Sequence, residues 1–199
     1  MGLTLHYSCS IKQASCLPEL VEEVKDICKE MNWSYHIWNE DKLQEYSTDI
    51  HKKEWAPDDL YGISFSAPEC EPFSLTFLPN GKLSAYINLL AAPYYDEYDW
   101  IYFVAIKTQF AGADVHICLV KLLKYLEKKY LKDVSVTDEG NYWETDSKEV
   151  LLERFSAYNH LLKVVEKTLR DFKTIPGETT GQFADRLEQY LKNKLTGNI

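Results

Sequence analysis

The pair Asn80-Gly81, set between Ser74–Leu78 and Lys82–Ile87, constrains this chain more than any other feature. Both flanks read as strand, and Asn and Gly are the residues that tolerate the positive φ angles of a tight hairpin turn. The pair predicts an antiparallel hairpin, and with it a sheet whose neighbouring strands are joined locally.

Other elements follow from periodicity. Leu3, Leu5, Tyr7 and Cys9 alternate with Thr4, His6, Ser8 and Ser10, predicting a strand over 3–11 with one buried face. Pro18 sits where a first helical turn accepts it, and Leu17, Leu20, Val21, Val24, Ile27, Cys28 and Met31 recur at helical spacing. Short strands are expected at 34–39 and 61–67, with a polar surface segment over 40–60 between them. Trp100–Phe110 is apolar almost to its end and predicts a strand in the middle of the sheet, covered on both faces.

Asp114 is expected to cap the next helix, whose stripe is Val115, Cys118, Leu119, Leu122 and Leu126. A last strand follows over 133–137. Ser147 is expected to cap a long helix in which Leu151, Phe155, Tyr158, Leu162, Val165, Leu169 and Phe172 keep a four-three repeat. Leu152, Asn159, Leu161 and Thr168 stand beside that seam where a coiled coil would carry paired charges, which favours packing within the chain over a homodimer. Thr179-Thr-Gly-Gln182 has capping-box spacing for a final helix.

No alternation of strand and helix, internal repeat or low-complexity tract is present, so the class is α+β. The expected form is a mainly antiparallel sheet of about six or seven strands with the Asn-Gly hairpin, packed by about four helices. One domain is expected over 1–199, with the sheet and two helices in 1–145 and a C-terminal helical pair in 146–199 packed on it.

Composition restricts function. With 22 Lys and Arg against 31 Asp and Glu the net charge is −9, which opposes nucleic acid and anionic membrane as partners and favours a basic protein. The sequence begins without a secretory pattern and holds no long apolar run, so a cytoplasmic protein is expected. Cys9, Cys16, Cys28, Cys70 and Cys118 are odd in number without a C-x-x-C pair, which reads as free thiols. His116 and Cys118 are two apart on a helix and diverge, and no H-E-x-x-H occurs, so no metal or other cofactor is expected.

Covalent chemistry finds no setting. Gly62-Ile-Ser64-Phe-Ser66 falls one residue short of a nucleophile elbow and runs on into strand. Cys9 and Cys70 have no base beside them in sequence. Pro176–Gly181 precedes a helix but lacks a phosphate-binding lysine.

Two acidic, aromatic segments remain. One is Tyr94-Tyr95-Asp96-Glu97-Tyr98-Asp99; the other holds Asp138, Glu139, Tyr142 and Glu144. Flat amphipathic rings among carboxylates suit the grip of a basic protein surface, because Tyr and Trp anchor interfaces and opposite charge steers encounter. The chain holds 14 Tyr and 5 Trp, more such surface than a core of this size needs. The expected role is a protein-interaction module, of the immunity or antitoxin type, acting as monomer or homodimer.

The alternative is a metal-independent enzyme in which Asp138, Glu139, Glu144 and His116 perform acid–base chemistry, with Lys107 or Gln109 nearby. Neighbouring residues on a strand face opposite ways, so Asp138 and Glu139 cooperate only if the turn redirects one of them.

Overall fold

A computed structural model describes residues 3–49, 55–92 and 99–195. The chain forms two compact units, Met1–Leu151 and Leu152–Ile199. The first carries two three-stranded antiparallel sheets, so the α+β class holds while the single large sheet is corrected.

Sheet one has the order β5-β1-β6, built from β1 (Thr4–Ile11), β5 (Val104–Lys107) and β6 (Leu131–Asp138). Sheet two has the order β2-β3-β4, built from β2 (Ser34–Trp38), β3 (Tyr61–Ser66) and β4 (Phe73–Phe77). The central strand of sheet one is β1, with Tyr7 opposite both Val104 and Val136. The 100–110 run is not central. Residues Asp99–Tyr102 form a 3-10 turn, and only Val104–Lys107 pair, as an edge strand with Val104 and Ile106 buried and Ala105 and Lys107 exposed.

The Asn-Gly turn is one residue longer than expected. Gly81 has φ +80, but Asn80 is not at positive φ. Leu78 O accepts from Gly81 N–H at 2.8 Å, and Lys82 O from Leu78 N–H at 3.0 Å. This is a three-residue loop, in which Pro79 presets the first corner and Gly81 supplies the left-handed residue. Its second arm does not extend as a strand. Lys82 bridges Ser10 and Leu83 bridges Phe77, so two residues tie β1 to β4 before α2 (Tyr86–Ala91) begins.

A series of stacked aromatic rings also links the two sheets. Trp33 stacks on Phe65 at 5.6 Å, Phe65 on Phe73 at 5.2 Å, and Phe73 on Tyr7 at 4.8 Å. The buried Tyr7 hydroxyl donates to Ser74 O at 2.8 Å and accepts from Ser74 N–H at 3.0 Å. One side chain of sheet one thus satisfies both outward backbone groups of a β4 residue. On β3, Gly62 has φ +130 and its missing Cβ would strike Leu75 O, so only glycine fits opposite Thr76.

The helix α1 (Leu17–Glu30) buries Leu17, Leu20, Val21, Val24 and Cys28 and carries Pro18 in its first turn, as its spacing predicts. The helix α3 (Ala113–Lys129) starts at Gly112 (φ +86) instead of at an Asp114 cap; Asp114 is exposed and pairs with Lys148 at 2.8 Å. Its buried stripe is His116, Leu119, Val120, Leu122, Leu123 and Leu126. A short α4 (Tyr142–Thr145) leads to α5 (Lys148–Asp171), where Ser147 Oγ accepts from Val150 N–H at 3.3 Å. The expected box opens α6 (Thr180–Leu195): Gln182 Oε1 accepts from Thr179 N–H at 3.0 Å and Thr179 Oγ1 from Gln182 N–H at 3.3 Å.

The second unit has its own small cluster. Phe172 lies 5.5 Å from Phe183 and 5.4 Å from Tyr190, and the Arg186 guanidinium sits 4.1 Å over Phe172 while pairing with Glu178. No helix among the described residues is long and apolar enough to cross a membrane.

Candidate functional site

Local backbone geometry assembles a buried polar chain. Thr108 O accepts from Gly112 N–H at 3.2 Å and Gly112 O from His116 N–H at 3.1 Å, so the turn over 108–112, reversed at Gly112 (φ +86), leads into the first turn of α3 with His116 beside Thr108. Thr108 Oγ1 lies 2.7 Å from His116 Nδ1, and His116 Nε2 lies 3.1 Å from each oxygen of Asp138. Asp138 also accepts from Gly140 N–H at 2.7 Å and Trp143 N–H at 2.9 Å. Burial alone would raise the Asp138 carboxyl, but the bonds from His116, Trp143 and Gly140 outweigh it and hold it below its ordinary value.

With Asp138 ionised, His116 Nε2 donates. The one Thr108 proton then lies between Nδ1 at 2.7 Å and Leu3 O at 3.3 Å, and the shorter contact makes Nδ1 its acceptor. The order hydroxyl, imidazole, carboxylate is that of a nucleophilic relay. Access decides against it: Thr108 and His116 have no exposed surface and Asp138 has 3%. Gly140 closes the top, since a Cβ there would come 2.5 Å from Leu151 Cδ1 and 3.1 Å from His116 Nε2.

The other predicted site residues separate. Glu139 turns back along the sheet, where its Oε2 accepts from Thr4 N–H at 2.9 Å and its Oε1 lies 3.8 Å from His6 Nε2. Glu144 and Asp99 are exposed, whereas Tyr142 is buried, so Tyr142 and Asp138 offer no surface to a partner. Tyr94, Tyr95, Asp96, Glu97 and Tyr98 lie outside the described residues. No group of three His, Cys, Asp or Glu among the described residues is placed to hold a metal ion. Burial pushes the thiols of Cys9 up to about 12 and of Cys28 and Cys70 up to about 11, which leaves them protonated and poorly nucleophilic.

An open concavity lies elsewhere, between the two sheets. It encloses about 550 Å³ and is walled by Trp38, Ser64, Pro72, Tyr86 and Ala105, with Glu71 the one charged residue among the described residues that line it. Trp38 and Tyr86 stack at 5.0 Å with 26° between their planes, and Trp38 Nε1 donates to Ser64 Oγ at 3.0 Å, which fixes the indole. Tyr86, Ile87 and Leu90 are 41%, 67% and 45% exposed on the neighbouring α2. Sequence reasoning missed this groove and missed Thr108. Trp38 on β2 and Tyr86 on α2 are 48 positions apart and only tertiary packing brings them together, while Thr108 carries no spacing signal beyond its distance of eight from His116.

Compared with protein families, with characterised proteins and with solved structures, the chain finds no match in any of the three.

Proposed function

We propose that this chain is a protein-interaction module that binds a basic partner, in the manner of an immunity or antitoxin-type protein. One observation carries the reading: the open groove is an aromatic wall with a single carboxylate, on a chain of net charge −9. A rigid Trp–Tyr surface supplies contact area at low entropic cost, and excess negative charge draws a cationic partner to it. Asp99, Glu139 and Glu144 add surface carboxylate to the same field, and the acidic, aromatic composition of Tyr94, Tyr95, Asp96, Glu97 and Tyr98 suits the same kind of partner.

The test is a tagged pull-down from the native cell at near-physiological salt, repeated with the Trp38→Ala/Tyr86→Ala double variant. A basic protein is expected on the unaltered chain and at least about tenfold less of it on the variant, the scale of losing an aromatic anchor. Equal capture by both chains, or no selective capture, sinks the reading. It is preferred over acid–base catalysis by Asp138, Glu139, Glu144 and His116 because the aligned groups are sealed. Turnover of a small activated ester, abolished by Thr108→Val, would reverse that preference.

A further inference from the structure

We propose that β5 receives an extended peptide segment of the basic partner as an added strand, hydrogen-bonded at a single residue, Ala105. The inference rests on the interaction reading above and names how the partner is held.

The argument is an accounting of edge groups. In an antiparallel pair, residues alternate between exchanging bonds with the neighbouring strand and pointing them away. Thr108 N–H donates to Leu3 O at 2.9 Å, so Leu3–Thr108 is a hydrogen-bonded pair and the next opposed pair, Thr4–Lys107, is a non-hydrogen-bonded one. Alternation then turns the backbone groups of Phe103, Ala105 and Lys107 outward from sheet one.

Two of these three are stoppered. Phe103 N–H donates to Trp100 O at 3.1 Å, and Phe103 O accepts from Asn88 Nδ2 at 2.8 Å. Lys107 N–H donates to Glu71 Oε2 at 2.8 Å, and Lys107 O accepts from Glu71 N–H at 3.4 Å. Ala105 alone is left with both groups facing the groove, and no described residue bonds them. Ala105 is exposed and lines the concavity.

The facing wall does not compete. Across the groove, Ser74 has its outward N–H and C=O both occupied by the Tyr7 hydroxyl, so β4 cannot zip onto β5 and close the gap. What remains is a short stretch of open edge between two plugs. A backbone donor and acceptor on one residue are matched by the N–H and C=O of one residue in an extended peptide, the narrow pair of an antiparallel ladder. Flanking side chains of that peptide meet the Trp38–Tyr86 stack, and Glu71 at the rim favours lysine or arginine there.

The probe is an acetylated octapeptide of alternating valine and lysine, titrated against the full chain by Trp fluorescence and by hydrogen exchange of the Ala105 amide. Its controls are the same peptide N-methylated on every residue and an alternating valine–glutamate peptide. Ala105→Pro removes the outward N–H and no bond to β1, a change an edge strand accepts. Binding of the valine–lysine peptide is expected to slow Ala105 exchange, and to weaken about tenfold with the N-methylated peptide and with Ala105→Pro.

Unchanged affinity in Ala105→Pro together with unslowed Ala105 exchange overturns strand addition, while the interaction reading still stands or falls on the double-variant pull-down. If Ala105→Pro does not fold, the exchange rate in the unaltered chain decides. Failure of the valine–lysine peptide to bind, or binding no tighter than that of the glutamate peptide, also overturns the proposal.

Discussion

Asp138 shows how much one carboxylate can hold together. Its oxygens take His116 Nε2 and the N–H groups of Gly140 and Trp143, so β6, α3 and the turn into α4 meet on it. Its folded pKa is depressed, so its contribution is fully present above the unfolded carboxyl value of about 4 and is lost as pH falls through the lower folded value. Asp138→Asn is expected to cost about 3 kcal/mol at neutral pH, because it leaves a buried donor facing donors. Urea denaturation across pH should show that gap narrowing below about pH 4, where the unaltered protein protonates. A gap constant down to strongly acid pH would contradict the assignment. Asp138 and His116 were both legible as candidates from their residue types. That they meet, and that Thr108 completes the chain, was not, because the contact depends on β6 lying beside β1 and on the turn at 108–112 that carries Thr108 onto the start of α3.

At the scale of elements, Tyr7 joins what the backbone leaves apart. Tyr7→Phe keeps the ring stacked on Phe73 but strands the Ser74 N–H and C=O in the interior, and should cost about 1–3 kcal/mol in urea denaturation. A loss under about 0.5 kcal/mol would mean Ser74 finds other partners. The helices were the readable elements: α1 and α6 follow from a stripe, an early proline and a capping box, all local in sequence. The strands were readable in place but not in partner. Trp100–Phe110 misled because an apolar run records burial alone, and burial is equally consistent with a 3-10 turn under the core and an edge strand covered on one face. The Asn-Gly turn misled differently, since Pro79 before it presets a loop of another shape.

For the whole molecule, the long-helix seam bears on oligomeric state. Leu151 and Phe155 are buried, while Leu162 and Leu169 are 37% and 48% exposed. Two open leucines one heptad apart fall short of the three or four heptads, about, that a stable coiled coil needs. Sedimentation at two widely separated concentrations should therefore return the monomer mass of 23.2 kDa at both. A concentration-dependent dimer abolished by Leu162→Glu would transfer the partner role to this helix and a second copy of the chain.

The sequence by itself determined the α+β class, the positions of the main helices and the caps at Ser147 and Thr179, the placement of most strands, the net acidity and the want of known catalytic spacings. Each is a property of nearest neighbours or of bulk composition, so it survives without knowing the fold. Tertiary structure decided that the strands form two sheets, that the Asn-Gly turn is a bridge between them, and that His116 and Asp138 are sealed inside. It also decided that Trp38, Tyr86, Glu71 and Ala105 share one groove. These depend on register and on which backbone groups are already spent, and a one-residue slip in pairing would turn every side chain of a strand to its other face.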